Sequence, residues 1–140
     1  MQMHNPKEIR AFMLAGRAVV TLVSEKTGTR FTYRLWRKNP TMPTFVGVLR
    51  GSSNETDFQF LGTVFPDGAY HHSYKSTIGE GAPSAKAFEW VWKYIAAGRM
   101  PPMVQVWHEG RCGRCGRRLT VPESISSGIG PECAKYLGRG

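Results

Sequence analysis

All three cysteines of this 140-residue chain fall in one stretch, HEGRCGRCGRRLTVPESISSGIGPEC, running from His108 to Cys133. Cys112 and Cys115 are spaced C-x-x-C, so two thiolates on one tight turn can grip a single ion. Gly116 follows directly and can take a positive φ angle that leaves backbone N–H groups aimed at the sulfurs, as in a zinc knuckle. Cys133 comes after Gly128-Ile129-Gly130-Pro131. Pro131 suits a first helical position, which puts Cys133 in a first helical turn, where the helix dipole and free N–H groups favour a thiolate. Three thiolates do not close a structural tetrahedron. The nearest further donor is His108, four residues before Cys112, and His71, His72 or a water are the other candidates. A C-x-x-C pair can instead be redox-active, but redox pairs usually open a helix after a strand, whereas Gly113-Arg114-Cys115-Gly116 is knuckle chemistry. The expected metal ligands are therefore His108, Cys112, Cys115 and Cys133, with Zn2+ as the cofactor.

The segment CGRCGRRLTVPESISSGIGPECA resembles the C-terminal zinc module of a family of small proteins encoded by bacteriophages and mobile elements. The combination of C-x-x-C-G-R, PESI and GIGPECA carries the resemblance, over about the last quarter of the chain. It implies a bound zinc and a bacterial cytoplasmic setting, and it implies no activity.

The elements that must position this stretch are legible from hydrophobic spacing. Asn5-Pro6 can cap and open a short helix over Pro6–Leu14, stopped by Gly16. Ala18–Ser24, a turn at 25–28 and the strictly alternating Thr29–Arg37 predict a hairpin. Further strands are expected at Thr44–Arg50, Asp57–Phe65 and Ala69–Lys75, with a polar loop over Gly51–Thr56, giving an antiparallel meander. Ser84 is placed to cap a helix over Ala85–Ala97, whose Phe88, Val91, Trp92 and Ile95 form one apolar stripe that would lie on the sheet. Pro101-Pro102 leads into a last strand, Met103–Trp107, which would deliver His108 to the metal. The expected fold is α+β: a mainly antiparallel sheet packed by one long helix, with a C-terminal zinc-knuckle module. Residues 1–107 form the α+β core domain and residues 108–140 the zinc-binding module.

The formal charge is +9, which favours partners that carry negative charge, nucleic acid first and acidic protein surfaces second. Cysteines in odd number at ligand spacing argue against a disulfide framework and for a reducing compartment. The N-terminal stretch has no signal-peptide core and no apolar run spans a membrane, so a cytoplasmic protein is expected. Between Lys26 and Asn54 there is no carboxylate, while Lys26, Arg30, Arg34, Arg37, Lys38 and Arg50 are all positive.

Alternation over Thr29–Arg37 sends Phe31, Tyr33 and Leu35 to the core and Arg30, Thr32, Arg34 and Trp36 to the opposite face. Arginines interleaved with a tryptophan suit single-stranded nucleic acid, Arg pairing with phosphate and Trp stacking on any base. A solvated face whose arginines cover Trp36 by cation–π contact accounts for the same pattern without a ligand. Arg114, Arg117 and Arg118 extend the positive charge onto the module. The candidate nucleic-acid contacts are thus Arg30, Arg34, Trp36, Arg37, Lys38, Arg114, Arg117 and Arg118. A phage effector that docks on an acidic patch of a host enzyme or defence system is the competing function. No nucleophile, base and oxyanion arrangement emerges, and adjacent His71 and His72 must point to opposite faces of a strand, so an enzyme is disfavoured.

Overall fold

The computed structural model describes residues 1–51, 57–120 and 122–136. The loop expected over Gly51–Thr56 lies, beyond Gly51, outside them. Among the described residues the chain forms, in order, β1 (Gln2–Met3), α1 (Pro6–Met13), β2 (Arg17–Ser24), β3 (Arg30–Trp36), β4 (Thr44–Leu49), β5 (Phe58–Val64), β6 (Tyr70–His72), α2 (Pro83–Ala96), β7 (Val104–His108), α3 (Pro122–Ser127) and α4 (Pro131–Tyr136).

The strands make one seven-stranded sheet in the order β1-β7-β2-β3-β4-β5-β6, and every pairing is antiparallel. The expected meander is β2 to β6. β7 returns to the free side of β2, with Val20 opposite His108 and Leu22 opposite Val106. The short β1 then pairs with β7. The sheet is layered by four short helices rather than by one long helix: α2, with 14 residues, is the longest, and α1 has eight.

Local chemistry explains most of these boundaries. Asn5 caps α1, its side chain accepting from the N–H groups of Lys7 and Glu8 at 2.9 and 3.2 Å, a contribution of about 1 kcal/mol. α2 starts earlier than expected. Pro83 occupies its first turn, Ala82 is the cap with no side-chain hydrogen bond, and Ser84 is already helical. The preset φ of proline starts this helix where a serine cap was expected. The backbone carbonyl of Ser84 instead accepts a 2.6 Å hydrogen bond from the buried Tyr33 hydroxyl, tying α2 to the middle of the sheet. β6 is shorter than expected: it ends at His72, the Ser73 N–H still donates to the Leu61 carbonyl at 3.1 Å, and the chain then turns, the Ser76 hydroxyl donating back to the Phe60 carbonyl.

One sheet face is the core. Ala18, Val20 and Leu22 of β2, Tyr33 and Leu35 of β3, and Val46 and Val48 of β4 are buried against Ile9, Phe12 and Met13 of α1 and against Phe88, Val91, Trp92 and Ile95 of α2. Phe88 sits at the centre, its ring 5.1 Å from Tyr33 and 4.9 Å from Tyr70. Each large apolar side chain fully buried here contributes roughly 1.5–3 kcal/mol. The β4–β5 register skips Leu61 next to Gly47. That irregularity sends Leu61 into the core and leaves Phe60 on the other face, in ring contact with Phe45.

Candidate metal centre

The last segment folds from a few backbone contacts that its glycines permit. In the turn after β7, the Gly116 N–H donates to the Cys112 carbonyl at 2.9 Å and the Cys112 N–H to the Arg117 carbonyl at 2.8 Å, with Gly116 at φ +80°. These bonds close a knuckle. Gly128, also at positive φ, lies so close to Phe12 of α1 that a Cβ there would fall 2.5 Å from the ring, and Gly113 is as tight against the same ring. The module is therefore seated on α1. Cys112, Leu119, Ile129 and Cys133 are buried in the same cluster as the sheet's apolar side chains.

The sulfurs of Cys112, Cys115 and Cys133 lie within 4.8 Å of one another, so the three side chains could hold a metal ion. Cys112 receives N–H donors from Gly130 at 3.3 Å and Arg114 at 3.4 Å. Burial pushes its thiol up, but the N–H groups of Gly130, Cys115 and Arg114 outweigh that and hold it below the ordinary thiol value. Burial also raises the Cys133 thiol, and there it prevails over the Arg114 guanidinium 3.4 Å away. Cys133 sits in the first turn of α4, which Pro131 opens, as the spacing predicts. Converging N–H groups and a guanidinium each favour the thiolate form, in which cysteine binds a metal.

His108 does not join this group. Its Nδ1 accepts from the Gly110 N–H at 2.8 Å, and its Nε2 is 2.6 Å from the Ile125 carbonyl, to which it donates. Both ring nitrogens are thus committed to backbone, and the ring lies 5.7 Å from that of Phe12. Burial pushes its pKa down, as suits a neutral imidazole with one accepting and one donating nitrogen. Proximity in sequence suggested a ligand; β7 instead turns His108 toward the core, where it pins α3 to the sheet. His71 and His72 point to opposite faces as expected. His71 meets the Phe65 ring, and His72 contacts the Ile78 carbonyl on the core side.

The positive residues separate into three groups. Together with Arg17, which pairs with Trp36 across the β2–β3 ladder, Arg30, Arg34 and Trp36 share the sheet face that, among the described residues, no helix covers. The Arg34 guanidinium stands 5.2 Å from the Trp36 ring centre. Trp36 packs over Gly47, where an added Cβ would be 3.2 Å from the indole. From there an aromatic line continues through Phe45 to Phe60, each step 5.9 Å between ring centres. Phe45 and Phe60 are parts of this surface that the alternation of β3 alone could not supply. Phe58 and Phe60 share a face in the sequence pattern, but only strand order and register show which one.

Arg37, Lys38 and Arg114 lie elsewhere, around a cleft between the end of β3 and the knuckle. Arg117 and Arg118, together with Arg114, line a cavity of about 370 Å³ onto which all three cysteines open, and Arg117 makes an exposed 3.9 Å pair with Glu132. Among the described residues, no helix is long and apolar enough to cross a membrane.

No curated protein and no solved structure matches the chain. Residues 107–138, which hold the knuckle, the PESI helix α3 and Cys133, match the model of a family of unknown function (DUF6011), so the segment that carries the three clustered cysteines is what this chain shares with that family.

Proposed function

We propose that this is a small zinc-binding protein that binds single-stranded or structured nucleic acid on the uncovered face of its sheet. One observation carries the reading: the seven strands contain three arginines and no carboxylate, and all three arginines stand on the uncovered face, Arg17 and Arg34 next to Trp36 at the head of the line through Phe45 and Phe60. A one-signed aromatic face suits a flexible polyanion with flat bases. Arg17, Arg30 and Arg34 would neutralise phosphates, and Phe45, more than a third exposed, offers a stacking surface for any base. Trp36 is held against Gly47 and Arg34, so its part is to support the platform. Zinc is the metal favoured by a cluster of cysteine thiolates in a small domain, and its part is to fix the knuckle on α1.

Anisotropy titrations of a labelled single-stranded oligonucleotide at several salt concentrations test this. Arg34→Ala should lower affinity and flatten the logarithmic salt slope by about 0.7, the value for one phosphate contact on a single strand. Phe45→Ala should weaken binding by roughly 1–3 kcal/mol with the slope unchanged. Failure of single-stranded DNA, duplex DNA and RNA to bind at low salt would overturn the assignment.

A further inference from the structure

The turn after α1, the end of β3 and the knuckle meet in a cleft of about 390 Å³ whose lining includes Arg17, Arg37, Lys38, Arg114 and Cys115 and, among the described residues, no carboxylate. Backbone bonds build it. The Arg37 N–H donates to the Gly16 carbonyl at 3.1 Å, and the Arg17 N–H donates to the Gly113 carbonyl at 2.6 Å. Gly16, at φ +128°, allows the chain to pass between the carbonyls of Arg37 and Arg114. Four cationic residues from three separate segments are thereby fixed around one space. Like charges so placed repel one another, and burial pushes the Arg37 pKa down. Both costs fall when an anion enters.

We propose that this cleft is a phosphate-binding site. Its forked guanidinium donors and one lysine match the tetrahedral oxyanion of a phosphate group. Resting on the nucleic-acid reading above, we assign that phosphate to the backbone of the bound strand. Arg17 belongs both to the cleft and to the uncovered face, so a strand leaving the Trp36 end of the aromatic line would pass its next phosphate into the cleft beside the metal centre. Arg114 and Cys115 line the cleft and also belong to the metal site, which couples the two. Arg17 is the residue that sequence alone left out.

The test uses the metal-loaded full chain, Arg37→Ala, Lys38→Ala and the double variant, with metal content and circular dichroism confirming the fold. The probes are a single-stranded oligonucleotide and inorganic phosphate. Each single variant should weaken oligonucleotide binding about three- to tenfold near 0.1 M salt and reduce the salt slope by about 0.7, while inorganic phosphate competes only at high concentration. Tight binding of inorganic phosphate that the double variant abolishes, with oligonucleotide affinity unaffected by Phe45→Ala, would keep the cleft as a phosphate site and remove the strand as its source. Unchanged affinity of the double variant for both probes would overturn the cleft. Loss in Phe45→Ala alone would leave the sheet-face reading standing without it.

Discussion

In the segment from Gly110 to Cys133 the donors converge within 4.8 Å through knuckle contacts, two short helices and a seat on one phenylalanine. On the sheet's uncovered face, by contrast, Arg34, Trp36, Phe45 and Phe60 come from three strands held by an extended ladder and a large apolar core. The first region crowds three sulfurs that could hold an ion. The second stands on its ladder and its core. Metal should therefore control the order of one and leave the other nearly untouched.

Removing the metal is the strongest way to probe that contrast. Metal binding in small zinc modules supplies on the order of 10 kcal/mol of folding free energy. Cys115→Ser, or chelation, should release the ion and unfold residues beyond about Gly110 while the sheet keeps its far-ultraviolet dichroism. Metal analysis with amide exchange reads this, and global unfolding would show that the two regions are one cooperative unit.

A smaller effect is expected where they touch. Phe12 packs on Gly113, Gly128 and the His108 ring while belonging to α1. Phe12→Ala should cost roughly 3–5 kcal/mol and destabilise both regions together in urea. A loss confined to the sheet would mean that the module's seat does not matter.

The smallest effect is a dependence on pH. His108 has its pKa lowered by burial, so the unfolded chain takes up the proton first as pH falls. Its contribution is complete above its ordinary pKa, near 6.5, and is lost as pH drops below that toward the folded value. The stability gap between wild type and His108→Gln should narrow from pH 7.5 to pH 5. His108→Gln should also keep its full metal content. A variant that loses the ion would restore His108 as a ligand.

Much of this molecule is legible without coordinates. The hairpin, the Asn5-Pro6 helix start, the outward set Arg30, Arg34 and Trp36, and the entry of Cys133 on a helix opened by Pro131 all follow from local rules: alternation with period two, proline's fixed φ and the reach of a capping side chain. The C-x-x-C-G turn is local in the same sense.

What the chain alone could not determine depends on partners far away in sequence. β7 inserts between β1 and β2, and that placement aims His108 at the core and the Ile125 carbonyl, apart from the three clustered cysteines. Phe45 and Phe60 join Trp36 only through strand register and a skipped residue at Leu61, and Arg17 meets Arg37 and Arg114 only because Gly16 lets three segments pass at close range. Short-range chemistry determined which residues could act; the long-range pairing of backbone donors and acceptors decided which of them meet.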